Sequence, residues 1–308
     1  MHMEKLILFC KSYRNDLPRV VNLLNSIQKH NRDGIPTYIS VPTSDFDLFA
    51  SVIDTSNVHL ITDESITDQL TSEAICGLPP GYINQEIVKL EFWKTSLCKN
   101  YFCIDSDSYF IRDFGYHDFM YDDVTPYSVL IEDKELCIDP DYRSYWTPRH
   151  KRLMDITKVM DYKSNILLTC HNSTTFNSKV LESFNREFLS PKGFALVDIL
   201  KIAPYEFSWY NFWLQKEKPI MVIPVEPLFK MFHYKKQYNE AREKGITERD
   251  IARAYIGIVM NSNWNPGAVN CRYIDPSKGL LHRLAHKRFG VKKRVVAALK
   301  NLLPKKDI

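Results

Sequence analysis

Three short apolar runs alternate with two helix-like segments inside residues 5–62, and this rhythm leaves few folds open. Residues 5–10, Thr37–Val41 and Val58–Thr62 read as buried strands, short and rich in β-branched and aromatic side chains. Between the first two, Asn15 or Asp16 is placed to cap a helix. Pro18 fits its first turn, Val20, Leu23, Leu24 and Ile27 form its apolar stripe, and Asp33-Gly34 stops it. Asp45–Ile53 reads as a second, shorter helix. Strands separated by helices of this kind predict a parallel sheet with crossover connections.

After a Gly77–Gly81 loop, Asn84–Lys99 is predicted helical, with Gln85 and Lys89 one turn apart on a face of their own. Tyr101–Ile104 and Val129–Ile131 read as further strands. The rhythm then fades. Pro148–Met160, Lys179–Phe188, Ala195–Ile202, Tyr205–Gln215 and Thr247–Met260 are predicted helices, and Ile220–Pro224 and Leu228–Tyr234 strands. This divides the chain into 1–135, a second half over 136–277 packed on the first, and a tail over 278–308.

Charge sets that tail apart. The net charge is +4, yet residues 278–308 hold ten Lys/Arg against Asp307 alone, so the remainder is net −5. An acidic body speaks against nucleic acid as partner and confines electrostatic attraction to the tail. Over 279–304, Leu281, Leu284, Val291, Val295, Leu299 and Leu302 recur between Lys and Arg. Two readings stand side by side: a cationic amphipathic helix lying on an anionic membrane, or a terminal helix packed on the body. No apolar run approaches the ~20 residues of a membrane span. Residues 6–10 are too short for the core of a secretory signal, so a cytoplasmic protein is expected. Seven cysteines without a C-x-x-C pair are expected to be reduced.

The chemistry concentrates at Asp105-Ser106-Asp107, directly after the strand Tyr101–Ile104. In α/β sheets ligands sit beyond the C-terminal ends of the strands. Two carboxylates there are hard oxygen ligands suited to Mg²⁺ or Mn²⁺, and in extended chain residues i and i+2 share a side. The competing reading is that acids end strands simply by facing water. In the second half, Tyr205–Asn211 combines Glu206 with aromatic faces that suit a sugar ring. Glu206 is the candidate catalytic base for an acceptor hydroxyl.

Four segments occur in order: "LILFCKSYRNDLPRVVNLLNSIQKHN", "IPTYISVP" followed by "DFDLF", "NQEIVKLEFWKT" and "YFCIDSDSYFIRDF". Over residues 5–115 the chain thereby resembles bacterial proteins classed as glycosyltransferases of the nucleotide-diphospho-sugar transferase (GT-A) fold. The resemblance implies an α/β fold with a Rossmann-like, mixed and mostly parallel sheet flanked by helices, with a C-terminal helical extension. It implies a divalent metal, Mn²⁺ or Mg²⁺, at Asp105 and Asp107, and a nucleoside-diphosphate sugar as donor. On the same resemblance Lys11, Ser12, Tyr13 and Arg14 hold the nucleotide, Tyr13 by stacking and Arg14 toward phosphate. Gln85, Lys89 and Ser106 adjoin the donor, His233 completes the metal site, and Lys236 holds the diphosphate. Relatives place an acid in a segment like Tyr205–Asn211, and here Trp209 stands at that position, leaving Glu206. His171-Asn172-Ser173 and Phe176-Asn177-Ser178 form a polar wall near the donor sugar.

The function so implied is transfer of a sugar to a carbohydrate or lipid-linked acceptor. Its setting is surface-polysaccharide or lipopolysaccharide assembly, peripherally at the inner face of the cytoplasmic membrane. A sugar nucleotidyltransferase and a non-catalytic carbohydrate- or membrane-binding protein are the alternatives. The first of these is disfavoured because Lys11–Asn15 holds no glycine to cradle phosphate.

Overall fold

The computed structural model describes residues 3–138 and 143–261, all within one unit spanning residues 1–266. The basic segment 279–308 and Cys271 lie outside the described residues. The first strands and helices are β1 (Ile7–Lys11), α1 (Leu17–His30), β2 (Thr37–Val41), α2 (Phe46–Ala50) and β3 (Val58–Thr62). Then come α3 (Pro80–Glu91), β4 (Asn100–Cys103), β5 (Ser108–Phe110), β6 (Tyr127–Val129), α4 (Arg143–Met160) and β7 (Thr175–Asn177). Last are α5 (Glu206–Glu217), β8 (Ile223–Val225), β9 (Phe229–Phe232) and β10 (Gly257–Met260), with shorter helices between these elements.

The main sheet runs β3-β2-β1-β4-β7. Its first four strands are parallel, and β7 pairs antiparallel with β4 at the edge. The mixed, mostly parallel α/β architecture expected from the sequence is therefore the one observed. Strands buried on both faces read as continuous apolar runs. On one face Ile7, Phe9, Tyr101 and Cys103 join the core under α3 and α5, where Phe9 stacks on Phe92 with ring centroids 4.0 Å apart. On the other, Phe102 meets Phe119 at 4.6 Å and Phe229 at 6.0 Å. Phe229 belongs to a second sheet, β5-β10-β9, and β6 pairs with β8 in a third. Among the described residues no helix is long and apolar enough to cross a membrane, and the described cysteines are free thiols.

Several elements differ from expectation. Pro79-Pro80 opens α3 four residues early, as suits proline at a first turn. The helix tightens after Glu91 and ends at Ser96, which is left-handed with φ 56°. Thr247 caps a helix, but one of only four residues, Glu248–Ile251. The rest of the expected helix is strand β10, because Gly257–Met260 finds ladder partners on both sides, β5 and β9. Gly257 permits this closeness: a Cβ there would sit 2.1 Å from Cε1 of Phe229 and 2.7 Å from the carbonyl of Tyr109. The expected helix over Lys179–Phe188 closes at Ser183 and widens into a π-turn over Phe184–Leu189. Neither β7 nor the helix Lys235–Glu243 was anticipated. Asn177 of β7 donates to Asn100 Oδ1 of β4 at 2.7 Å, a buried amide pair that fixes the edge strand.

Candidate active site

The strand order reverses at β1. The chain runs outward through β2 and β3, then returns to place β4 on the other side. Such a switch point leaves a crevice beyond the carboxyl ends of β1 and β4. Two loops face each other across it, residues 12–16 after β1 and Asp105–Ser108 after β4. The Ser106 hydroxyl ties them by donating to Asp16 Oδ2 at 3.0 Å. This explains why Asp16, at the N-cap position of α1, makes no cap hydrogen bond: its oxygens serve Ser106 and Arg19.

Asp105 and Asp107 are not in extended chain. They are the first and third residues of a turn closed by Ser108 N–H donating to the Asp105 carbonyl at 3.1 Å, and the Asp107 carbonyl accepts from Met260 N–H at 2.9 Å. The turn, and not the pleat, sets the positions of the two residues, and one carboxylate oxygen of Asp107, Oδ1, is buried. Among the described residues no group of three or more His, Cys, Asp or Glu is arranged to hold a metal ion.

Beneath the turn lies a buried ionic centre. Lys89 Nζ is 2.7 Å from Asp105 Oδ1 and 2.7 Å from Glu206 Oε1. The Lys89 and Glu206 side chains are 3% and 9% exposed, whereas Asp105 is 32% exposed and forms the open end. The Lys89 ammonium also lies 4.8 Å from the Phe207 ring centroid. Burial works against its charge, but Asp105 and Glu206 outweigh burial and hold its pKa well above the ordinary lysine value. The site thus joins residues 117 apart in sequence, from α3 and the start of α5.

Glu86, one turn before Lys89, has no exposed surface and no hydrogen-bond partner at either oxygen among the described residues. Burial raises its pKa well above the usual carboxylate range. Glu206 and Asp105 push it further, and Lys89 and Arg149 only partly compensate. A raised acid means that the folded chain keeps a proton the unfolded chain releases. Stability therefore falls as pH rises above about 4.3, the unfolded glutamate value, toward the folded one. Glu86→Gln, a neutral isostere, is expected to melt at or above the wild type at pH 8, with that advantage shrinking toward pH 5. Thermal melts at the two pH values check this, and a difference independent of pH would show that Glu86 is charged.

The remaining residues expected at the site divide. Lys11 Nζ is 2.9 Å from Asp63 Oδ2, both side chains buried, and Ser40 donates to the other Asp63 oxygen at 2.6 Å. Arg14 grips Asp45 through its backbone N–H and its Nε, each at 2.7 Å. These cations brace the loop, and the Arg14 side chain stays 55% exposed while paired with Asp45. Ser12 Oγ is buried with no hydrogen-bond partner among the described residues, and Tyr13 is 44% exposed. Gln85 is half-buried on α3. Lys236 is exposed, 3.8 Å from Glu240. His233 follows β9, and its ring meets that of His171 edge-on at 4.6 Å. Burial, with His171 beside it, lowers its pKa to about 3.

That histidine pair, both members of which the sequence marks, belongs to a polar cluster whose charged members it does not mark. Asp133 Oδ2 lies 3.5 Å from Arg149 Nε and 3.8 Å from His171 Nδ1. The Arg149 guanidinium sits 4.7 Å from the centroid of Tyr205. No local signal marked Asp133 or Arg149. Glu86 alone had one, an acid on an apolar helix one turn from Lys89. A separate groove of about 390 Å³, lined by Leu24, Gln28, Ile53 and Asn57 among others, opens near the start of β2 and β3, away from these groups.

Comparison with known proteins gives a family and a distant structural likeness. No curated protein matches the sequence. Among solved structures, mouse xyloside xylosyltransferase 1 in its apo form is similar at 10% identity and a TM-score of 0.48, covering 85% of this chain and 99% of that one. Residues 5–184 match a family described as a family of unknown function, DUF6492. More than half of the sequence lies within that match, and the chain belongs to this family.

Proposed function

We propose that this chain is a glycosyltransferase that binds a nucleoside-diphosphate sugar in the crevice between β1 and β4 and passes the sugar to a carbohydrate or lipid-linked acceptor. The observation that carries the reading is Lys89 spanning Asp105 and Glu206 at 2.7 Å each, directly below a two-aspartate turn at the sheet's switch point. Mg²⁺-type ions are commonly held by one or two carboxylates together with substrate phosphates and water, so a complete protein cage is not required. Asp105 and Asp107 fit such an ion, Asp105 being partly open to solvent. When bound, the ion offsets the charge that grows on the leaving diphosphate.

The chain's own groups do the rest. Lys89 fixes one oxygen of Asp105, whose side chain stays 32% exposed. Ser106, through Asp16, sets the distance between the two loops. The exposed ring of Tyr13 offers a stacking face for a base, and the buried Ser12 hydroxyl a hydrogen bond. Glu206, with one oxygen on Lys89, positions that lysine. One of its oxygens is committed to Lys89 and its side chain is 9% exposed, which favours this role over abstraction of the acceptor proton. For a lipid-linked acceptor in surface-polysaccharide or lipopolysaccharide assembly, the basic segment 279–308 would supply the contact with the cytoplasmic membrane.

The test is release of nucleoside diphosphate from UDP-, GDP- and dTDP-linked sugars, with Mn²⁺ or with chelator. Turnover of one nucleotide class that stops on chelation is expected. Absence of turnover and of nucleotide binding across the panel would overturn the reading.

A further inference from the structure

The main sheet ends on one side at β3, which pairs with β2 residue for residue from Val58 to Thr62. Among the described residues no strand pairs with its other side, and no backbone hydrogen bond from a loop or turn reaches residues 58–62. Such an edge presents a row of unpaired N–H and C=O groups, and folded chains usually guard it with Lys, Pro, a bulge or a very short strand. The opposite edge, β7, is only three residues long. β3 has none of these guards: its five residues run in unbroken register and include no Lys, Arg or Pro.

Two features beside this edge say what it takes. The first is the groove of about 390 Å³, which opens at the start of β3. Val58, Ile53 and the 38%-exposed Val52 give it an apolar wall. A strand laid along β3 turns every second side chain toward one face of the sheet, so an apolar side chain can reach that wall. The second is charge of one sign. Residues 33–88 hold nine Asp/Glu and no Lys or Arg. Residues 1–277 are net −5, so outside this stretch they are net +4. Among the described residues, Asp45 and Asp63 take the ion pairs of the stretch, with Arg14 and Lys11. Asp47 on α2, which packs against β3, Asp54 in the groove wall and Glu64 just past the strand are exposed. Acids around both ends of β3 oppose a second copy of the chain, whose own acids would meet them in either strand direction. They favour a strand that carries cations.

We propose that β3 docks an extended, Lys- or Arg-bearing segment of a partner protein by strand addition. Its cations face Asp47, Asp54 and Glu64, and one apolar side chain enters the groove. The proposal concerns the sheet edge, away from the crevice beyond β1 and β4, and does not rest on the glycosyltransferase reading. The probe is a fluorescent peptide of alternating Lys and Val, about ten residues long and so able to cover a whole strand. It is titrated into the full chain and followed by anisotropy, beside a Glu-Val peptide and a Lys-Pro peptide of the same length. The Lys-Val peptide is expected to bind at least tenfold more tightly than the Glu-Val one, and to weaken at least tenfold between about 0.05 and about 0.5 M NaCl. The Lys-Pro peptide keeps the charge but loses half of the N–H donors, and should bind at least tenfold more weakly than Lys-Val. Amide hydrogen exchange of β3 should slow when the Lys-Val peptide binds. Asp47→Lys/Asp54→Lys should weaken that binding at least tenfold, with melting temperature and nucleotide binding at wild-type values. Equal binding of the Lys-Val and Glu-Val peptides, equal binding of the Lys-Pro peptide, wild-type binding by the folded double variant, or no binding by the wild type overturns the proposal. Self-association of the free chain that protects β3 from exchange also overturns it, since the edge then belongs to a second copy.

Discussion

Replacing Lys89 with methionine is expected to destabilise the chain by about 3–5 kcal/mol at pH 7, the cost of removing one partner from a buried ion pair. The size follows from what stays behind. Glu206 is 9% exposed and loses the cation 2.7 Å from its Oε1. Asp105, 32% exposed, is screened by water and contributes less. The double variant Lys89→Met/Glu206→Gln removes both charges, and most of the lost stability should return, because a buried pair replaced by neutral groups is often no worse than the pair itself. The pH dependence has a definite sign. A lysine whose pKa is raised on folding contributes stability that is complete below the unfolded value, about 10.4, and is lost only as pH climbs through the folded one. The gap between wild type and Lys89→Met should therefore stay constant from pH 7 to pH 10 in denaturant titrations. A gap that closes across that range, or a double variant as unstable as the single one, would contradict a charged Lys89 at the centre.

The second large effect concerns turnover rather than folding. Asp105→Asn and Asp107→Asn are each expected to lower metal-dependent turnover about 100- to 1,000-fold, the scale on which preorganised electrostatic groups act. Asp105→Asn leaves Lys89 paired with Glu206, so the variant should remain folded. Donor turnover and melting temperature measured on the same preparations separate the two effects. Loss of activity accompanied by loss of fold would place the aspartates in the scaffold instead.

How much of this was legible in the sequence depended on how local the cause was. Thr37–Val41 and Val58–Thr62 appear as strands with the expected bounds, because a buried parallel strand is a short apolar run between breakers. The aspartate turn and Lys89 could be read from position alone, the one at a strand's end and the other on a helix leading to it. Strand β10 could not, since Gly257–Met260 is helix-compatible until β5 and β9 are in place beside it. The three residues of β7 are too few to carry a pattern. At the site, the failures are long-range. Asp133 meets His171 only after the 37 intervening positions are folded away, and no spacing rule signals that contact or the positive φ. Arg14 shows the same limit: a cation beside a binding loop suggests phosphate, and only the fold adds Asp45 as a partner of its Nε.

The most direct measurement is a calorimetric titration of UDP and GDP, each with and without Mn²⁺, into the wild type and into the Asp105→Asn/Asp107→Asn variant. Manganese-dependent binding of one nucleotide by the wild type, weakened at least tenfold in the variant, is the expected result. Equal binding by both proteins, or none by the folded wild type, would contradict a diphosphate site at the mouth of β1 and β4.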